Sequence, residues 1–446
     1  MILRAPPGSG HGFVALLLLV AAPRARAQEE EPIGGRVGGV EWTAGLDATL
    51  AGFGYGNPVF ANERPDASGD LSGGWFEGFA EPWVGAEIGA GRSRFTGDLS
   101  LLWTWTAAAA DQSVGGNADA FRLEQANIGW ASGDLWPGLG TDAVQIHAGR
   151  LDFDIGTGML MQLGGSNGGD RGAYYLAPRM AWDFGAVARF ATGPHAVRGF
   201  YLEPDVAAPE ESARFAGLDY AVELAGGKVE SGATWFQVFD AADPAREGLS
   251  VVDIRAAASP LSAVPDLRFS GELASERNDD VLRAWGWYLA AEYAWSEGPW
   301  SPSFGYRYAV FDGDDPNTNR SESFDPLRYG FTDYGSWYQG EVFGIYLLSN
   351  SDLRSHQATL LGSPVEALGL RLVVWNFDLD RPAMLASGAE VRHLGGEVDL
   401  IVEWEVTPVV AVNLVATRAW LDDLLEAEFD RSGALSYLMT SVGLSF

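Results

Sequence analysis

Alternation of apolar and polar side chains, in segments of about ten residues, recurs through most of this 446-residue chain. In residues 285–295 every second side chain is aromatic or aliphatic, and in 397–406 apolar residues alternate with Glu and Asp. A period of two places the two sets on opposite faces of a β-strand. In water a face rich in Trp and Leu promotes aggregation, whereas in lipid it is the required surface and the polar face lines a wet interior. The alternation therefore predicts an all-β, antiparallel transmembrane β-barrel.

The rest of the chain supports a barrel over its alternatives. After residue 27 no stretch approaches the ~20 apolar residues that a membrane helix needs, and only helices and closed barrels satisfy the backbone in lipid. The 57 Gly and 17 Trp also suit a large soluble β-sandwich or propeller. Such a protein, however, does not need alternating segments that are joined alternately by short and long connections. Cysteine is absent, which excludes disulfides and thiolate metal sites.

The connections between the segments are of two kinds. Tight turns are predicted on the periplasmic side at 193–194, 226–227, 297–299 and 407–408, and long extracellular loops at 55–73, 154–180, 312–335 and 422–432. Termini on the same side require an even number of strands, so residues 337–347, which are squeezed between a long loop and the next segment, are assigned to loop structure. We predict about 18 strands, with 16 as the alternative.

Both ends of the chain carry export features. Arg4, the apolar run 13–22 and the small residues Ala25 and Ala27 predict a cleaved signal peptide at 1–27, followed by one barrel domain at 28–446. A final alternating strand that ends at Phe446 resembles the signature by which the outer-membrane assembly machinery recognises its clients. We therefore expect the outer membrane of a Gram-negative bacterium, with lipid, lipopolysaccharide and that machinery as partners.

No pattern for catalysis or metal binding is present. Four histidines follow residue 27: His147, His195, His356 and His393. His147 and His195 lie near no evident nucleophile by spacing, and neither H-E-x-x-H nor G-x-S-x-G occurs. An acidic run at 312–317 hints at Ca²⁺, but proline occupies its third ligand position. We predict a protein that is not an enzyme, with no cofactor, no specific metal site and no nucleic-acid partner.

Arginines mark a basic exception in an acidic chain of net charge −31. Residues 145–200 carry five arginines and four aspartates, with glycines at 156–169 that make the intervening loop pliable enough to fold into a pore. The arginines either contact an anionic substrate or pair with the nearby aspartates and brace the wall. The five are Arg150, Arg171, Arg179, Arg189 and Arg198.

Six short stretches of sequence carry a resemblance to a known family. The stretches 121–126 (FRLEQA), 147–151 (HAGRL) and 179–184 (RMAWDF), with 311–316, 323–327 and 337–341 further on, resemble in order the signatures of the alginate-export family of outer-membrane barrels. The resemblance implies a passive, substrate-selective channel that exports an anionic polysaccharide, and Arg122 then joins the five arginines as a substrate contact. The alternatives are a less selective uptake porin for small anionic or sugar-like solutes, and a plugged structural or adhesive barrel.

Overall fold

The computed structural model describes residues 33–58, 72–108, 114–261, 263–279, 281–295, 297–331, 333–428 and 433–446. The predicted signal peptide at 1–27 lies outside these residues. Parts of the predicted loops 55–73 and 422–432 also lie outside the described residues.

Nineteen strands, of which the last 18 form a closed barrel, make up most of the described chain. Each of β2 to β19 pairs antiparallel with its neighbours in sequence, and β19 pairs with β2, from Ser436 opposite Gly56 to Ser445 opposite Asp47. The predicted strand number and antiparallel barrel are confirmed. The strands are β1 (Ile33–Val37), β2 (Val40–Gly56), β3 (Ser72–Ala90), β4 (Ser93–Ala107), β5 (Ala118–Ala131), β6 (Val144–Leu151), β7 (Trp182–Thr192), β8 (His195–Glu203), β9 (Arg214–Leu224), β10 (Val229–Phe239), β11 (Ser250–Ala258), β12 (Leu267–Asn278), β13 (Leu282–Ala294), β14 (Ser303–Phe311), β15 (Leu353–Val365), β16 (Leu368–Met384), β17 (Glu390–Thr407), β18 (Val410–Leu421) and β19 (Leu435–Ser445).

The extra strand, β1, forms a hairpin with the start of β2. Gly38 and Gly39 both have positive φ angles and make the tight turn between the two strands. The backbone N–H of Leu46 donates to the carbonyl of Phe446 at 2.7 Å, directly beyond the residues of β2 that pair with β1. β1 therefore lies end to end with β19 along the same edge of β2 and adds no strand to the circumference.

Apolar side chains cover the outer face of the barrel, as the alternation predicts. On β13, Leu289 and Tyr293 are exposed whereas Ala284 is buried inside. On β19, Leu438, Val442 and Leu444 point outward. Trp182, which the sequence pattern places on the outer face, is instead fully buried. It lies at the first residue of β7, where the chain leaves the barrel interior, and its indole donates to the carbonyl of Phe153.

The connections alternate between the two ends of the barrel. One end, here the turn end, carries short turns such as 193–194 and 225–228, together with three longer connections at 132–143, 259–266 and 295–302. The other, the loop end, carries the longest connections, 152–181 and 312–352, and the short helix α1 (Asp423–Glu428). We expect the loop end to face the outside of the cell. No helix in the described residues is both long and apolar enough to cross a membrane.

Residues 337–347 form no strand. Their last part, Gly340–Leu347, is a wide helical turn within the connection between β14 and β15. The assignment of this segment to loop structure is confirmed, and it makes 312–352 longer than the predicted loop 312–335.

Candidate functional site

Two long connections fold into the barrel rather than over its rim. Inner loop A is residues 152–181 and inner loop B is residues 312–352, and most of their side chains are buried. Met159, Leu160 and Met161 of inner loop A are completely buried. Phe343 of inner loop B has only 1% of its surface exposed. The glycine-rich stretch does let one loop fold inward, as the sequence suggests. The second inward loop is carried by aromatic residues, which pack against apolar side chains on the inner face of the wall.

The inner loops are bonded to each other. The guanidinium of Arg328 in inner loop B donates to the carbonyls of Leu163 at 2.7 Å and Gly164 at 3.0 Å. Burial lowers the pKa of Arg328 to about 10, so its side chain remains charged at neutral pH. Further bonds between the loops include those from Tyr174 to the carbonyl of Ile345, from Tyr175 to the Glu341 carboxylate, and from the Trp337 indole to Thr157.

Close backbone approach explains two of the glycines. A Cβ on Gly164 would lie 2.4 Å from the backbone nitrogen of Trp182, and one on Gly165 would lie 2.5 Å from the carbonyl oxygen of Arg179. Both distances are shorter than any side chain tolerates. Inner loop A can therefore double back on itself only with glycine at these positions.

Four glutamates on the inner wall hold the backbone of the inner loops; we call them the wall carboxylates. Glu77 on β3 accepts from the N–H groups of Tyr175 at 2.9 Å and Leu176 at 3.0 Å. Glu124 on β5, Glu276 on β12 and Glu397 on β17 accept in the same way from Met180 and Ala181, from Asp325, and from Val342 and Phe343. Each of these bonds gives a buried peptide N–H an acceptor that the loop backbone itself does not supply. The wall carboxylates therefore fasten both inner loops to strands on different sides of the barrel.

Arg150 and Arg171 meet at one carboxylate. Arg150 donates to Asp205 Oδ2 at 2.8 Å and also binds Asp183, while Arg171 donates to Asp205 Oδ1 at 2.8 Å and to the carbonyl of Val206 at 2.7 Å. Burial alone would raise the pKa of Asp205, but the two guanidiniums reverse this effect and hold it below its usual value. These contacts join β6, inner loop A and the connection after β8.

Arg179 is the most deeply buried of the predicted arginines, with 1% of its side chain exposed. Its Nη1 lies 3.6 Å from Glu124 Oε2, and its guanidinium makes no hydrogen bond within the described residues. Burial lowers its pKa to about 10, although Glu124 offsets part of that shift. Arg150, Arg171 and Arg179 thus occupy bracing positions, which is the second of the two interpretations from sequence.

The surroundings of Arg189, Arg198 and Arg122 differ from those of the three arginines described above. Arg189 on β7 and Arg198 on β8 are directly opposite each other in register on the inner face. Arg198 donates to Asp219 at 2.8 Å and to the carbonyl of Asp154 at 2.9 Å, yet about a quarter of its side chain is exposed. Arg122 is exposed on the inner face of β5. Within the described part of the chain, neither Arg122 nor Arg189 forms an ion pair.

Sequence analysis missed four further arginines on the inner wall. Arg255 bridges Asp219 at 2.5 Å and Asp253 at 2.8 Å, and the guanidinium carbon of Arg307 lies 4.4 Å from the Trp337 ring centre. The other two are Arg268 on β12, which pairs with Glu230, and Arg371 on β16, which pairs with Asp333. The alternation places all four on the inward-facing positions of their strands. The local count of charges that singled out residues 145–200 did not extend to these strands.

The turn-end half of the interior is polar and open to water, and we call it the vestibule. Glu41, Thr43 and Glu405 are exposed there. The predicted acidic wall on β17 is only partly in this position. Glu403 and Glu405 reach the vestibule, whereas Glu397 holds inner loop B, and Asp399 is buried against Trp375 and Thr417.

The fold matches solved outer-membrane porins across nearly the whole chain. OprD of Pseudomonas aeruginosa is 13% identical, with a TM-score of 0.51, over 95% of this chain and 96% of its own. OccD3 (OpdP) of the same bacterium is 11% identical, with a TM-score of 0.52, over 99% and 95%. OccAB4 of Acinetobacter baumannii is 8% identical, with a TM-score of 0.54, over 90% and 98%. No protein-family model and no curated protein sequence matches the chain.

These likenesses establish a porin-like fold. Together with the apolar outer face, they place the chain in the outer membrane of a Gram-negative bacterium, as the sequence predicts. The neighbours are channels rather than enzymes. The resemblance to the alginate-export family gains no support from them.

Proposed function

We propose that the protein is a passive, selective channel for the uptake of small anionic or sugar-like solutes. The observation that carries this proposal is the layered interior: a polar vestibule at the turn end, and inner loops that restrict the passage above it. At the boundary Arg189 and Arg198 stand side by side, and Arg198 contacts the start of inner loop A. A small solute passes such a restriction far more readily than a chain polymer does, so the proposal follows the uptake alternative rather than polysaccharide export.

Selection of anions follows from the exposed guanidiniums. A narrow lumen bounded by protein strengthens each contact between a guanidinium and a carboxylate relative to bulk water. Because neighbouring aspartates share Arg198 and Arg255, a passing anion competes with Asp219 and Asp253 instead of binding tightly. Weak, successive contacts allow an anion to move through the lumen, whereas a single tight contact would hold it in place. The proposed substrate contacts are therefore Arg122, Arg189 and Arg198, with Arg150, Arg171 and Arg179 supporting them from behind.

Electrical recording from the refolded protein in a planar lipid bilayer tests the proposal. We expect discrete conductance steps and, under a gradient of potassium chloride, a reversal potential that favours chloride. A preference for potassium ions would contradict the anion selectivity while leaving the channel itself intact.

A plugged structural barrel is the second candidate, and the dense packing of the inner loops favours it. Absence of any conductance step, from protein that shows folded-barrel migration on a gel, would decide for this candidate and against a channel.

A further inference from the structure

The longer connection between β5 and β6 is a rigid projection from the turn end. We call residues 132–143 the turn-end flap. The backbone of Ser132 bonds to Val144 at 2.9 Å at its base, and Gly133 donates to Asp142 Oδ1 at 2.9 Å and accepts from the Asp142 N–H at 2.9 Å. Asp134 donates from its backbone to the carbonyl of Arg92 at 2.9 Å. The flap is thereby attached to the neighbouring turn as well as to its own strands.

Ion pairs fix the orientation of the base of the flap. Arg94 on β4 donates to both carboxylate oxygens of Asp142, at 3.0 Å and 2.5 Å, and also pairs with Glu87 at 3.2 Å. Gly133 has a φ of +52°, and a Cβ there would lie 1.9 Å from the carbonyl oxygen of Arg92. Only glycine allows this close approach. The position of the flap is therefore set by the fold.

The tip of the flap is apolar and exposed. Leu135, Trp136 and Leu139 have 38%, 45% and 38% of their surfaces accessible. Exposure of two leucines and a tryptophan to water on a hydrogen-bonded turn is unfavourable because of the hydrophobic effect. An apolar or amphipathic medium that covers these side chains would therefore be favourable.

The apolar tip is continuous with the outer face of the barrel. The Trp136 ring packs edge-on against Trp130, with 6.5 Å between ring centres. Trp130 points outward from β5, and in register it lies opposite Phe95 on β4 and Ile146 on β6, both exposed on the outer face. The flap therefore extends the lipid-facing surface past the end of the strands.

We infer that the turn-end flap is a membrane-interface anchor, with Leu135, Trp136 and Leu139 seated at the boundary between phospholipid headgroups and acyl chains. An indole suits this boundary because its ring is apolar and its N–H can still reach polar groups. A second connection at the same end, 295–302, exposes Trp295 and Trp300. The anchor would fix the height and tilt of this side of the barrel in the bilayer, independently of what the lumen conducts.

Spin labels at single cysteines test the anchor directly, because the natural chain contains no cysteine. The variants Leu135→Cys and Leu139→Cys are labelled with a nitroxide and placed in phosphatidylcholine vesicles. Matched controls are Ile128→Cys on the outer face and Thr43→Cys in the vestibule. Each variant is first shown to migrate as a folded barrel. If the inference is right, both flap labels relax faster with oxygen than with a water-soluble nickel chelate, as Ile128→Cys does.

Two outcomes would overturn the inference. Preferential relaxation by the nickel chelate, as expected for Thr43→Cys, would place the flap in water. Dipolar broadening that disappears on dilution with unlabelled protein would show that a second copy of the chain covers the flap.

Discussion

Arginines of the barrel interior have two kinds of surroundings, and we propose that each kind gives them a different role. Arg150 and Arg171 share the Asp205 carboxylate and bind backbone carbonyls, so their donors are already used. Arg189 makes no ion pair within the described residues, and Arg198 retains an exposed part. A guanidinium with free donors can attract a passing anion, whereas one that is fully bonded holds the wall together.

Removing the two exposed charges should change selectivity. In the double variant Arg189→Gln and Arg198→Gln we expect the ratio of chloride to potassium permeability to fall about fivefold, which corresponds to ~1 kcal/mol of lost attraction. Reversal potentials under a salt gradient measure this ratio. Folding should persist because Arg255 still satisfies Asp219.

Arg150→Gln is the matched control for that experiment. It leaves Asp205 with Arg171 alone, so we expect easier unfolding by heat and an unchanged permeability ratio. The opposite pattern, with selectivity lost only in Arg150→Gln, would contradict the assignment of roles.

We expect the packing of inner loop B to depend on pH through Glu341. Burial, together with the charge of Asp399, raises its pKa from 4.5 to about 8, although the hydrogen bond from Tyr175 and the charge of Arg371 oppose the shift. A carboxyl with a raised pKa binds its proton more tightly when folded, so the stabilisation is complete below about pH 4.5 and is lost as the pH rises through 8.

We therefore expect inner loop B to loosen progressively as the pH rises from about 4.5 to about 8, and to change little above pH 8. Amide hydrogen exchange of residues 340–347, corrected for its intrinsic dependence on pH, should increase over this interval. Glu341→Gln keeps a neutral side chain at every pH and should abolish the increase. An increase of the same size in Glu341→Gln would assign the effect to another group.

At the scale of elements, the barrel wall and the inner loops form one unit that is joined by carboxylates. Each wall carboxylate belongs to a strand whose position the barrel fixes, and each accepts from peptide N–H groups that have no partner in a helix or sheet. Inner loops without regular secondary structure can therefore remain buried, because their backbone donors are satisfied by the wall.

Weakening these bonds should free the inner loops without opening the barrel. In Glu77→Gln the amide cannot accept from Tyr175, Leu176 and the Trp75 indole at the same time, because one of its two ends is a donor. We expect at least tenfold faster exchange of the amides of residues 173–180, which corresponds to ~1.4 kcal/mol of lost protection, and larger or more frequent conductance steps.

Glu405→Gln is the control, since Glu405 also faces the lumen but is exposed in the vestibule. It should change neither measurement. If Glu77→Gln behaves as Glu405→Gln does, the apolar packing alone holds the inner loops, and the carboxylates are not required.

For the whole molecule, closure between β19 and β2 is the decisive contact. It gives each described strand of the barrel, β2 to β19, a neighbour on both sides, and the Phe446 backbone completes it through reciprocal bonds with Leu46. The chain end therefore contributes both to the closed barrel and to the signature that we expect the assembly machinery to recognise.

The contribution of Phe446 to barrel closure and its contribution to recognition can be measured separately. Deleting Phe446 should reduce the amount of protein recovered from the outer membrane in cells severalfold. The same variant refolded in detergent should still migrate faster unheated than boiled, because ten register pairs between β19 and β2 remain. Equal recovery of both forms from cells would argue against recognition through Phe446, and a heat-insensitive wild-type protein would contradict the barrel itself.

Sequence determined the barrel, its strand number and the orientation of most side chains, because a period of two is a local property that each strand carries by itself. The segments 285–295 and 397–406 could be assigned to inner and outer faces residue by residue. Tertiary structure alone decided which contacts hold the inner loops inside the barrel. Tyr175 bonds to Glu341 across 166 positions of sequence, and Glu77 reaches Leu176 across 99. No local pattern encodes such pairs, because they depend on which strands the closed barrel brings opposite each inner loop. For the same reason, the division of the arginines into those that brace and those that face water became visible only in the folded molecule.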